Sequence, residues 1–151
     1  MLSSTGSCSH SPVTGQRNAS AALSLEELEQ HITELAANLY AGTYRWLCLL
    51  REFDERGGWH GWGILSCAHW LNWKCGLSLC AAREKLRVAH ALKDLPRVSE
   101  AFASGQLSYS KVRALTRVAD PKNEDVLLSV ALGGTAAHLE RLVHAYRRCK
   151  R

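Results

Sequence analysis

The chain has 151 residues, 46% of them hydrophobic, which suits one globular domain around one core. Lys and Arg number 19 against 14 Asp and Glu, and a pI near 9.0 favours an acidic partner such as DNA without requiring one. No apolar run reaches the roughly 18 residues that cross a bilayer, and the opening MLSSTGSCSHSPVTGQRNAS lacks the charged-then-apolar order of a secretory signal, so no membrane association is expected and a cytoplasmic location is.

Residues 1–22 are rich in Ser, Gly, Thr and Asn and poor in large apolar side chains. They cannot bury enough surface to offset their ordering entropy and are expected to be a disordered tail. The helical domain then runs over residues 23–151. Ser24 with Glu27 three residues on makes a capping-box signature. Behind it Leu28, Ile32, Leu35, Leu39, Trp46, Leu50 and Phe53 mark one apolar stripe, a long helix reaching to about Asp54. Gly57 and Gly58 end it, and Trp59 to Gly63 form an aromatic loop.

A short helix follows from Ser66 to Lys74, closed by Gly76. Ser78 opens the next, with Leu79, Ala82, Leu86, Ala89 and Leu92 inward and Arg83, Lys85, Arg87 and His90 largely elsewhere. Pro96 ends this helix or starts another. Arg97 to Ser104 is a short helix closed by Gly105, and Ser108 caps one from Tyr109 to Ala119 that stops before Asp120-Pro121. Two more helices, Lys122 to Leu132 and Ala136 to Cys149, flank Gly133-Gly134, with Thr135 as the cap. No segment alternates at period two, so the expected fold is all-α, a multi-helix bundle with an internal helix-turn-helix-like hairpin.

The six cysteines, Cys8, Cys48, Cys67, Cys75, Cys80 and Cys149, lie mostly in apolar helical stretches and read as reduced core-compatible residues. Cys67, His69, Cys75 and Cys80 invite zinc, but they lack the paired spacing of zinc ligands, and no metal or other cofactor is expected. Trp59, Trp62, Trp70 and Trp73 can stack on unpaired bases or pack the core. The one-turn spacing of Trp70 and Trp73 favours the core. There is no G-x-S-x-G elbow, phosphate loop or dinucleotide fingerprint, so no catalytic residues are assigned.

Three stretches, SCAHWLNWKCGLSLCAAREKLRVAHALKDLP, SEAFASGQLSYSKVRALTRVADPKNED and GTAAHLERLVHAYRR, resemble the bacterial family called domain of unknown function 222, which overlaps the 13E12 repeat proteins. The resemblance covers about Leu25 to Arg151. It implies a helical domain that in many members precedes an HNH nuclease module. The sequence holds no segment with the His, Asn and Cys pattern of an HNH centre, so the resemblance implies no nuclease residue here. The chain is then expected to be a short or truncated member, or to work with a separately encoded HNH nuclease.

Ser99 to Ala119 also resembles the helix-turn-helix of chromosome-partition proteins at Ala101, Gly105, Leu107, Ser108, Val112, Arg113, Ala114 and Leu115. At about 100° per residue, Val112, Leu115 and Ala119 share one face and Ser110, Arg113 and Arg117 the other. Such a helix sets Ser110 and Arg113 at base edges and Lys111 and Arg117 against phosphates. A generic helical hairpin with a solvated basic face fits the same residues. The terminal Arg147, Arg148, Lys150 and Arg151 suit phosphate contact or the negative pole of the last helix. Two functions therefore stand: a non-catalytic, DNA-associated helical domain of an HNH-endonuclease-like protein, and a protein-interaction or self-association module that uses the Leu28 to Phe53 helix as a seam.

Overall fold

The computed structural model describes residues 22–149. Apart from Ala22, the tail expected over residues 1–22 lies outside the described residues, as do Cys8, Lys150 and Arg151. Among the described residues there are seven α-helices: α1 (Leu25–Glu55), α2 (Cys67–Cys75), α3 (Leu79–Ala91), α4 (Pro96–Ala103), α5 (Tyr109–Leu115), α6 (Glu124–Gly133) and α7 (Ala136–Cys149). A 3₁₀ turn, Leu92–Asp94, joins α3 to α4. An isolated bridge between Gly61 and Ile64 is the only β pairing among the described residues. The fold is an all-α multi-helix bundle.

Local signals start these helices. The Ser24 hydroxyl accepts from the Glu27 amide at 3.2 Å and the Glu27 carboxylate accepts from the Ser24 amide at 2.7 Å, which satisfies two donors that a helix N-terminus leaves unpaired. Ser66, Ser78 and Ser108 cap α2, α3 and α5 with the serine half of that arrangement alone. Pro96 starts α4, where its missing amide costs nothing. At the other end of α4 the Gly105 amide reaches Phe102 O at 3.1 Å and the Gln106 amide reaches Ala101 O at 2.9 Å, with Gly105 left-handed at φ 78°. That is a Schellman turn, and it makes the tight hairpin between α4 and α5.

The core is continuous. Phe102, Leu47, Leu71, Leu95, Leu107, Leu115 and Leu139 are all enclosed, with the ring of Tyr44 edge-on to Phe102 at 5.9 Å. The second half of α1 packs on α3 and α4, α2 packs on α3, and α4 and α5 carry α6 and α7. His90 Nε2 meets Asp54 Oδ2 at 2.8 Å across the α1–α3 seam.

Four expectations change. The α1 stripe enters the core only at its end: Leu50 is buried, Trp46 and Phe53 are half-buried, and Leu28, Ile32, Leu35 and Leu39 are exposed. The line facing the body is instead Tyr40, Tyr44, Leu47 and Leu50. Helix α5 stops at Leu115 rather than Ala119, because the Thr116 hydroxyl donates back to Val112 O at 2.9 Å and Arg87 takes the carbonyls of Arg113 and Thr116. Helix α6 starts at Glu124 because Asp120 Oδ1 holds the amides of Lys122 and Asn123 in an Asx turn. On α3, Val88 is buried and Leu79 is exposed.

The tryptophans divide as well. Trp59 and Trp70 pack against the core, Trp70 lying 4.5 Å from the Phe53 ring, whereas Trp62 and Trp73 are exposed. The buried face of α2 is Cys67, Ala68 and Leu71. Trp73 lies opposite that face at helical spacing, and Lys74 Nζ sits 3.8 Å from its ring centroid.

Candidate nucleic-acid interface

Side chains of α3, of α5 and of the turn after α5 border an open groove of about 630 Å³. Its charged lining is Arg83, Glu84, Lys85, Arg87, Arg113 and Arg117, with Tyr109 in the floor. Five cations and one carboxylate thus line it. Glu84 receives a fork from Arg87, Nε to Oε2 and Nη2 to Oε1 both at 3.0 Å, and a further bond from Arg117 Nη2 to Oε1 at 2.8 Å. The Arg87 hydrogen bonds, aided by Arg117 and opposed by partial burial, hold the Glu84 carboxyl down to about 2.

Arg87 Nη1 donates to Thr116 O at 3.1 Å, and Nη2, which also bonds Glu84, donates to Arg113 O at 3.1 Å. Arg87 therefore closes the carbonyl end of α5, where cationic charge is favoured by the helix dipole. Lys85 lies with Nζ 3.2 Å from the Tyr109 ring centroid. Burial, with the nearby Arg113, lowers the pKa of Lys85. Burial first, and then Glu84, raises that of Tyr109, whose enclosed hydroxyl has no hydrogen-bond partner.

A second hollow, about 290 Å³, continues from the first between α5 and α7. Arg113, Arg117, Glu140, His144 and Arg147 line it, so Arg113 and Arg117 belong to both. Arg113 Nη2 pairs with Glu140 Oε1 at 2.8 Å.

Of the residues singled out from sequence, the fold brings Arg113, Arg117 and Arg147 together. Arg117 does so from the turn after α5, since the helix has already ended. Ser110 is exposed on the first turn of α5 and Arg148 is exposed on α7, and neither lines these hollows. Lys111 points the other way, its Nζ donating to Ala131 O at 2.7 Å at the end of α6. Arg83, Lys85 and Arg87 were read only as outward residues of α3. At about 100° per residue Lys85 stands well away from Arg83 and Arg87, and nothing local says that these side chains would meet across a groove from α5.

Other chemistry finds little support. Among the described residues no three His, Cys, Asp or Glu side chains come together as metal ligands. The Cys67 thiol is pushed up to about 12, by burial first and then by Asp54, which leaves it protonated and unreactive at neutral pH. No helix among the described residues is long and apolar enough to cross a membrane.

No curated protein and no solved structure matches the chain. The family model described as Domain of unknown function (DUF222) matches residues 20–148, from just ahead of α1 to the last turn of α7, and the chain belongs to that family.

Proposed function

We propose that this domain is a non-catalytic module that binds the phosphate backbone of DNA in the groove between α3 and α5 and along its extension to α7. The observation that carries the reading is that Arg83, Lys85, Arg87, Arg113 and Arg117 line one groove together with a single carboxylate, Glu84. Charge of one sign focused in a concave site attracts polyanions, and each neutralised phosphate releases counterions.

Helix α5 suits phosphate contact better than base reading. It has 7 residues, with Val112, Ala114 and Leu115 buried, and α7 packs along it. A recognition helix must stand clear enough to enter a major groove. The HNH nuclease that the family resemblance associates with such domains would supply cutting, and this module would hold the DNA for it.

Fluorescence anisotropy of labelled duplex and single-stranded DNA, titrated with the chain at low and physiological salt, tests the proposal. Affinity should fall steeply with salt, with a log–log slope of about −0.9 per phosphate contacted on duplex. Arg83→Ala combined with Arg113→Ala should flatten that slope. Absent binding at low salt, or a slope unchanged by both substitutions, would overturn it.

A second reading, a protein-interaction module, is favoured by a different observation: the first half of α1 carries an apolar stripe outside the core.

A further inference from the structure

That stripe has a period of its own. Leu25, Leu28, Ile32, Leu35, Leu39, Gly42, Trp46, Leu49 and Phe53 follow one another at alternating steps of three and four, the a and d spacing of a two-stranded coiled coil. It lies beside, not on, the line of Tyr40, Tyr44, Leu47 and Leu50 that faces the body. Ile32 is 67% exposed, Leu35 63%, Leu39 65% and Leu49 67%.

Two further observations point to an occupant. Residues 22–35 are exposed without exception, although a helix in water draws most of its stability from packing an amphipathic face. Gly42 sits at a d position within α1, and a Cβ there would meet no atom within 4 Å. Glycine weakens a helix interior relative to alanine, and nothing inside this chain requires it. A helix packing closely from outside would account for it.

We propose that the occupant is α1 of a second copy, paired antiparallel. One register puts Leu39 over Gly42 of the second copy, Leu35 over Trp46, Ile32 over Leu49 and Leu28 over Phe53, and the reciprocal layers follow by symmetry. Leu39 then fills the hollow at Gly42 that Leu35, Asn38, Thr43, Trp46 and Leu77 border. Packing selects the direction. Parallel pairing in register sets Gly42 against Gly42 and leaves that layer empty, whereas antiparallel pairing sets Leu39 of each copy into it.

Sedimentation of the full chain over a concentration series tests this without DNA, so its result is independent of the groove. The mass should rise from 16.7 kDa toward twice that value. Ile32→Asp and Leu49→Lys, each at an exposed site, should separately weaken association by at least about tenfold with helix content kept. Mixing the two variants should restore the dimer, because the register brings those positions face to face. A wild-type chain that stays monomeric, or single variants that still associate, would overturn self-association through α1. Two impaired variants that fail to complement would overturn the antiparallel register.

Discussion

Glu84 Oε1 accepts from Arg117 Nη2 at 2.8 Å, joining residues 33 apart in the chain. The same carboxylate holds Arg87, which in turn holds the carbonyls of Arg113 and Thr116. One acid on α3 therefore clamps the end of α5. An isolated exposed pair contributes about 0–1 kcal/mol, but a forked network with shared partners is stronger than its separate bonds.

The clamp makes stability depend on acid. Because the folded Glu84 carboxyl is held down to about 2 from an ordinary 4.5, its stabilisation is present above pH 4.5 and is lost as pH falls toward 2. Thermal unfolding followed across that window should show a decline that is shallower in Glu84→Gln, a variant less stable than wild type at neutral pH.

Glu84 also opposes any anion in the groove. If the groove binds phosphates, Glu84→Gln should tighten low-salt DNA binding on the order of fivefold, about 1 kcal/mol, while stability falls. Opposite signs in the two measurements separate a binding effect from damage to the fold. Weaker DNA binding by this variant would count against the groove.

Glu124 supports the fold from within. It is buried, and its Oε1 accepts from the Val98 amide at 2.8 Å in the first turn of α4, so α6 caps a helix that no side chain of its own caps. Glu124→Ala leaves that amide buried and unpaired and should cost about 1–3 kcal/mol. Urea denaturation should show the loss, and Glu124→Gln, which keeps an acceptor, should lose less.

Gly105→Ala should destabilise for two reasons that act together. The backbone is left-handed there, and a Cβ would lie 2.6 Å from Ala37 O on α1. A cost of about 1–3 kcal/mol is expected from such strain, measured by the same denaturation. It is the close passage of the α4–α5 turn across α1 that makes this position intolerant.

Phe102 is fully enclosed and meets Tyr44 of α1 edge-on. Phe102→Ala should cost about 3–5 kcal/mol, and a calorimetric midpoint lowered by many degrees would show it.

Most helix starts are legible in the sequence because they are local, the start of α6 at Glu124 rather than Lys122 being the exception. Serine caps, the Gly76 and Gly105 stops and Pro96 act within one turn of themselves, so Ser24, Ser66, Ser78 and Ser108 cap where the sequence placed them. The far end of α5 was not legible, since a guanidinium 29 residues upstream closes it.

The candidate site divides along the same line. Composition and period determined an all-α chain with a basic face on the segment of Arg113 to Arg117 and with Arg83, Lys85 and Arg87 off the inward line of α3. They could not determine whether a basic face is solvated, paired or gathered into a groove, because each helix carries its polar side whichever neighbour it meets. Packing decided that Lys111 turns to Ala131 while Arg113, Arg117 and Arg147 converge. Packing also decided that one apolar line of α1 is buried and the adjacent heptad line is left in water. Periodicity reports that a helix has an apolar face, and only the positions of the other helices settle which part of it they cover.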